Sequence, residues 1–124
     1  MSDITTVILA AGNSTRFKAS KSKLVYPLCG LPIVSHIFNI AKKISGKNIL
    51  VVSNEKNKEE LKLILNTSKL VVQKKQKGTA DAIEQVKKYV KSKNILILFG
   101  DTPLVEVKDI RKLVSKFKKS KAKA

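Results

Sequence analysis

The chain has 124 residues, a length for one domain with a modest core, and its 43% hydrophobic content includes no long apolar run. A soluble globular protein without a membrane span is expected. Met1-Ser2-Asp3 leads straight into a strand, so no secretory leader is expected either. The lone Cys29 excludes an internal disulfide and suits a reducing, cytoplasmic setting with a structural role for the thiol. The formal charge of +17 would suit a nucleic-acid partner. Yet only Arg16 and Arg111 are arginines, and the lysines are spread along the whole chain beside abundant Ile and Asn, as in a lysine-biased proteome. Aromatic residues make up 5% and are not interleaved with the basic ones, so no stacking platform is expected. What remains is a general attraction for polyanions that weakens with salt, not a specific nucleic-acid partner.

Strand-like and helix-like stretches alternate. Residues 5–10 form an apolar run that enters a polar loop, Gly12-Asn13-Ser14-Thr15-Arg16, as a buried strand entering a turn would. In residues 33–44, Ile33, Ile37, Ile40, Ala41 and Ile44 recur at helical spacing, with Lys42 and Lys43 near the end and Gly46 as a stop. Residues 48–53 read as a second strand and 55–65 as a charged helix with Leu61, Ile64 and Leu65 on its apolar side. A short third strand over 70–73 precedes a helix over 79–90, where Ala82, Ile83, Val86 and Val90 share a face. A fourth strand over 94–99 ends in Gly100-Asp101-Thr102-Pro103, and a basic helix from about 107 to 118 frays into the tail. Such alternation predicts right-handed crossovers and a parallel sheet covered on both faces. Ligands of these sheets bind at the carboxyl ends of the strands, where the loops 12–16, 73–79 and 100–102 would meet.

Those loops carry the candidate chemistry. Gly12 lets the backbone come close to an anion, and Arg16 and Lys23 suit the phosphates of a nucleoside triphosphate. Lys23 also reads as one surface lysine among many. Asp101, after a buried strand and a glycine, is either a ligand for Mg²⁺ or a turn-capping aspartate. Gln73 has a donor and an acceptor for the edge of a pyrimidine base, Gly78 permits close approach, and Thr79 reads as a helix N-cap. His36, with no second histidine in the chain, reads as a packed or half-exposed helix residue.

The run Leu9-Ala10-Ala11-Gly12-x-x-Thr15-Arg16, then Lys23-Leu24 and Gly30-Leu31-Pro32, resembles the opening signature of the sugar-phosphate nucleotidyltransferases, of MobA-like NTP transferase type. Gln73-x-x-x-x-Gly78-Thr79-Ala80 and Phe99-Gly100-Asp101-Thr102-Pro103-Leu104 are most similar to the N-acetylglucosamine-1-phosphate uridyltransferase domain of the bifunctional bacterial enzymes. The motifs span residues 7–104. The resemblance implies a three-layer α/β/α, Rossmann-like, mostly parallel sheet of the nucleotide-diphospho-sugar transferase type. It further implies that Leu9, Ala10, Ala11, Gly12, Thr15, Arg16 and Lys23 wrap the triphosphate, with Arg16 and Lys23 as the catalytic cations. Gln73, Gly78 and Thr79 would contact uracil, and Asp101 would bind both nucleotide and Mg²⁺. UTP and a sugar 1-phosphate, N-acetylglucosamine 1-phosphate by the resemblance, would be the substrates, with pyrophosphate released.

Ser14 stands where the family's loop has a second glycine, and Ser22 where it has a proline before the lysine. The family domain continues for about as many residues again, with the sugar pocket and a second metal ligand, so only its N-terminal, nucleotide-binding half is expected here. Residues 1–105 would be the nucleotide-binding domain and 106–124 its basic helix and tail. The open sheet edge such a half leaves predicts a homo-oligomer or a partner chain. A non-catalytic nucleotide-binding remnant is the alternative to an enzyme.

Overall fold

Four parallel strands with their carboxyl ends on one side form the frame of the computed structural model, which describes residues 3–12, 24, 27–66, 69–75, 78–102 and 104–120. The elements run β1 (Ile4–Leu9), β2 (Pro27–Leu28), β3 (Leu31–Pro32), α1 (Ile33–Ser45), β4 (Ile49–Ser53), α2 (Lys58–Leu65), β5 (Leu70–Val72), α3 (Thr79–Val86), β6 (Asn94–Phe99) and α4 (Val107–Ser120). The sheet order is β5-β4-β1-β6. β1 pairs with β4 from Thr6↔Ile49 to Leu9↔Val52 and with β6 from Ile4↔Asn94 to Leu9↔Phe99.

The core explains this arrangement. Residues 4–8 are all buried, which is what a central parallel strand requires. On one face, Ile4, Ile8, Ile49, Val51, Leu96 and Leu98 pack with Val34, Ile37 and Ala41 of α1, Leu61 and Leu65 of α2, and Ile110 and Val114 of α4. On the other, Val7, Leu50 and Val52 pack with Ala82 and Val86 of α3. The three-layer α/β/α architecture expected from the sequence is therefore present. Thr6, buried on the α1 side, lies 2.8 Å from the Ser45 hydroxyl. Ser45 points its own proton at the Ala41 and Asn48 carbonyls, so Thr6 is the donor in that pair. At the sheet's other end, Lys118 of α4 pairs with Asp3 at 2.8 Å, and that hydrogen bond holds the Asp3 carboxyl below its ordinary value.

Several boundaries differ from expectation for local reasons. β1 starts and ends one residue earlier than the apolar run suggested. α2 starts at Lys58 because residues 54–57 form a side-chain-bonded turn. The helix expected to reach residue 90 ends at Val86 and tightens into a 3₁₀ turn, Lys87–Tyr89. α4 runs through Ser120 rather than ending near 118.

The β2–β3 hairpin has no counterpart among the expected elements. Its two turn residues, Cys29 (φ 52°) and Gly30 (φ 84°), both take the left-handed conformation that a two-residue hairpin needs. Cys29 is exposed there, so its role is in the turn and not in the core. His36 Nε2 donates to the Leu28 carbonyl at 2.6 Å and fastens the hairpin to α1, which bears out the structural reading of that histidine. No described helix is long and apolar enough to cross a membrane. Ile8 is fully buried at the centre of the sheet. Truncating it in Ile8→Ala is expected to cost about 3 kcal/mol, read as a lower urea midpoint with an unchanged slope.

Candidate functional site

The site grows from the end of β1, where two asparagines hold the backbone. Asn57 Nδ2 donates to the Ala10 carbonyl at 2.8 Å, and Asn54 Nδ2 donates to the Ala11 carbonyl at 3.1 Å. Asn54 Oδ1 accepts the Lys56 and Asn57 N–H groups at 2.9 and 2.8 Å, while Asn57 Oδ1 accepts the Asn54 N–H at 2.9 Å. Each amide oxygen thus faces an N–H and each nitrogen a carbonyl, which fixes both amide orientations. Both asparagines are buried. In a trans peptide the carbonyl and the following N–H point opposite ways. With the Ala11 carbonyl turned toward Asn54, the Gly12 N–H is turned away from that clamp, at an exposed position. This orientation suits an anion at the strand end.

On one side of β1, β6 ends in a close contact. The Gly100 N–H donates to the Leu9 carbonyl at 3.0 Å. A Cβ at Gly100 would lie 3.3 Å from that carbonyl oxygen and 3.6 Å from the Ala10 Cβ, so glycine eases a tight approach of the two strand ends. The turn over 99–102 is tied by Thr102, whose Oγ1 and N–H both donate to the Phe99 carbonyl, at 2.9 and 3.3 Å. Asp101 sits in this turn, exposed, and makes no ion pair with another described residue. Thr102, not Asp101, provides the side-chain bond that caps the turn, which leaves the Asp101 carboxylate available as a hard oxygen donor. Among the described residues no group of three acidic, histidine or cysteine side chains could enclose a metal. A single carboxylate completed by phosphate oxygens and water matches the habit of Mg²⁺.

On the other side, β5 delivers Gln73, which is buried and continues the ladder through its N–H to the Ser53 carbonyl at 2.7 Å. Its Nε2 donates to Asp81 Oδ2 at 2.8 Å and to the Gly78 carbonyl at 3.3 Å. An ionised carboxylate only accepts, so the amide nitrogen must face Asp81. Both Nε2 protons are thereby used, and Oε1 is the atom that can meet a ligand. Gly78 (φ 92°, ψ 178°) adopts a conformation open to glycine alone and is itself the residue preceding α3. Thr79 is therefore the first helical residue, exposed, and not the N-cap expected from the sequence.

The three loops thus emerge at the carboxyl edge of one sheet. Three strand spacings separate β5 from β6, about 14 Å. Leu9, Ala10, Ala11 and Gly12 stand at its centre, Gln73 and Gly78 on the β5 side, and Asp101 on the β6 side. Thr15, Arg16 and Lys23 lie outside the described residues. The residues that sequence reasoning passed over are the ones that hold others in place: Asn54, Asn57 and Asp81. The spacing Asn-x-x-Asn just before a helix was the available signal for the first two.

Asn54→Ala would remove the bonds that Asn54 makes to the Ala11 carbonyl and to two turn N–H groups, and a loss of about 2 kcal/mol is expected in chemical denaturation. Gly78→Ala meets no steric obstacle, since nothing lies within 4 Å of the added Cβ. Its cost, about 1–3 kcal/mol, is expected to be conformational, so Gly78→Asn should be destabilising to a similar degree as Gly78→Ala.

Residues 6–124 match the MobA-like NTP transferase domain. The bifunctional protein GlmU of Buchnera aphidicola subsp. Schizaphis graminum is 42% identical over 120 residues, which cover 95% of this chain and 26% of that protein. The chain thus spans about a quarter of the length of that relative. Among solved structures, a putative glucose-1-phosphate thymidylyltransferase from Bacillus anthracis superimposes with a TM-score of 0.82 at 21% identity, over 94% of this chain and 50% of the other. CMP:2-keto-3-deoxy-manno-octonic acid synthetase, solved with CTP, superimposes with a TM-score of 0.81 at 20% identity, over 98% and 49%. These two likenesses establish the fold.

Proposed function

The chain belongs to the MobA-like NTP transferase domain family, and from that premise we propose that it binds UTP with Mg²⁺ and transfers UMP to a sugar 1-phosphate. N-acetylglucosamine 1-phosphate is the acceptor we assign, and the cytoplasm the setting. The observation that carries this reading is the arrival of the glycine loop, Gln73 with Gly78, and Asp101 at one edge of one parallel sheet. The base lies on the β5 side, the phosphates over the end of β1 and the reacting centre toward β6.

In this reading Leu9, Ala10, Ala11, Gly12 and Thr15 line the nucleotide, with the Gly12 N–H facing phosphate. Arg16 and Lys23 neutralise the triphosphate and the charge that builds up in transfer. Gln73 Oε1 accepts the N3–H of uracil, a proton that cytosine lacks, while Gly78 and Thr79 lie against the base. Asp101 would hold a Mg²⁺ ion, which when bound supplies positive charge to phosphate oxygens. An oxygen of the acceptor's phosphate attacks the α-phosphorus in line. The new P–O bond forms as the bond to the bridging oxygen breaks, and pyrophosphate leaves with that electron pair. Positioning and charge neutralisation suffice for such a step, so no covalent nucleophile is needed.

A second reading is a nucleotide-binding module without turnover. It is favoured by one observation: among the described residues no group of three acidic, histidine or cysteine side chains could enclose a metal. Pyrophosphate release separates the two readings.

In calorimetric titration at moderate salt, Mg²⁺–UTP is expected to bind more tightly than CTP or GTP. Asp101→Ala should weaken binding about tenfold, equivalent to about 1.4 kcal/mol. Gln73→Leu should erase the preference for UTP over CTP while leaving triphosphate binding in place. Release of pyrophosphate on adding N-acetylglucosamine 1-phosphate marks the enzyme, and saturable binding without release marks the module. Binding that is indifferent to base and to Asp101, and that salt abolishes, overturns both.

A further inference from the structure

An amide side chain can offer either of two opposite faces, and which one Gln73 offers is decided by a neighbour. Gln73 is buried at the end of β5, with its backbone N–H tied to the Ser53 carbonyl at 2.7 Å. The freedom left is rotation of the terminal amide, which exchanges Oε1 for Nε2 with almost no change of shape. Nε2 lies 2.8 Å from Asp81 Oδ2 and 3.3 Å from the Gly78 carbonyl oxygen. Both are acceptors, so the rotated amide would set its own oxygen against a carboxylate and a carbonyl. The bond to Asp81 is the shorter and is charge-assisted, so Asp81 supplies most of the hold.

Asp81 is in turn fixed by the fold. It is half-buried in the first turn of α3, and the Gly78 carbonyl that shares Nε2 also accepts the Ala82 N–H at 3.2 Å. Ala82 and Val86 of the same helix are buried against Val7, Leu50 and Val52. The orientation of Gln73 is thus referred to the core through α3. An acid in a first turn also suits the helix dipole. That role needs only negative charge, and it does not account for a 2.8 Å bond to an amide eight residues earlier in the chain.

We propose that Asp81 is a positioning residue that sets the choice of base. With Nε2 held inward, Oε1 is the face left for a ligand, and it can only accept. Uracil carries a proton on N3 and can donate to it, whereas N3 of cytosine carries a lone pair and is repelled. This role rests on the proposed contact between Gln73 and the base, and it places the discrimination in a residue that need not touch the nucleotide.

Two variants separate positioning from support of the helix. Asp81→Asn removes the charge but keeps an acceptor oxygen, so the preference for Mg²⁺–UTP over Mg²⁺–CTP in calorimetry should stay close to that of the wild type. Asp81→Leu removes both, and the preference should fall roughly tenfold, through weaker binding of UTP and not of CTP. A role confined to the helix dipole predicts that the two variants behave alike and that both nucleotides weaken together. Side-chain amide NMR reads the hold without nucleotide. Both Gln73 Hε2 protons should exchange slowly with water in the wild type and in Asp81→Asn, and faster in Asp81→Leu. Fast exchange in the wild type, exchange unchanged by Asp81→Leu, or a UTP preference that survives Asp81→Leu overturns the proposal. A wild-type chain that binds UTP and CTP alike overturns the base contact itself, and the role of Asp81 with it, so the wild type tells the two failures apart.

Discussion

Two asparagine side chains fix the backbone on which the carboxyl edge of this sheet depends. Residues 4–8 of β1 are buried, and the chain leaves the strand just beyond Leu9. Asn57 and Asn54 take the carbonyls of Ala10 and Ala11, while their own amide oxygens hold the turn that starts α2. Four side-chain groups and the backbone around them are satisfied at once, out of water. The orientation of the Gly12 N–H follows from that pairing. Gly100 then brings β6 against the same strand end, where a Cβ would crowd the Leu9 carbonyl at 3.3 Å. The backbone at the end of β1 is thus held by the turn after β4 and by β6 as much as by β1 itself.

The two edges of the sheet differ in what they leave unsatisfied. On the β5 side, Gln73 is held by Asp81 and Gly78, so its amide presents one defined atom instead of rotating between two roles. On the β6 side, the strand is regular and hydrogen-bonded inward, with Ile95, Ile97 and Phe99 on a face that no described helix covers.

How much was legible in the sequence depended on the kind of interaction involved. β6 was read to its residue limits, because Ile95–Phe99 is an apolar run flanked by Asn94 and Gly100. α1 was legible from its helical spacing and its Gly46 stop. Boundaries slipped where side chains bond to backbone: residues 54–57 form a turn that delays α2, and their polar composition looked like the start of a charged helix. The two-residue strands of the hairpin were too short to show alternation, and a cysteine with positive φ gives no signal. At the site, the residues that could touch a ligand were visible as motif, whereas those that orient them were not. Asp81 is far from any strand end in sequence terms, eight residues from Gln73, and only the return of α3 brings it there. Gln73 itself was read as donor and acceptor; its donors are spent within the protein.

The central claim is that a nucleotide sits on the carboxyl edge of this sheet. The most direct measurement is an amide NMR titration of the chain with Mg²⁺–UTP. The account predicts saturable shift changes at Gly12, Gln73, Gly78 and Asp101, with little change at Thr5, Asn48 and Ser92 on the opposite edge. Shift changes that instead follow the lysines of α4 and the amino edge, and that fade with added salt, would contradict it.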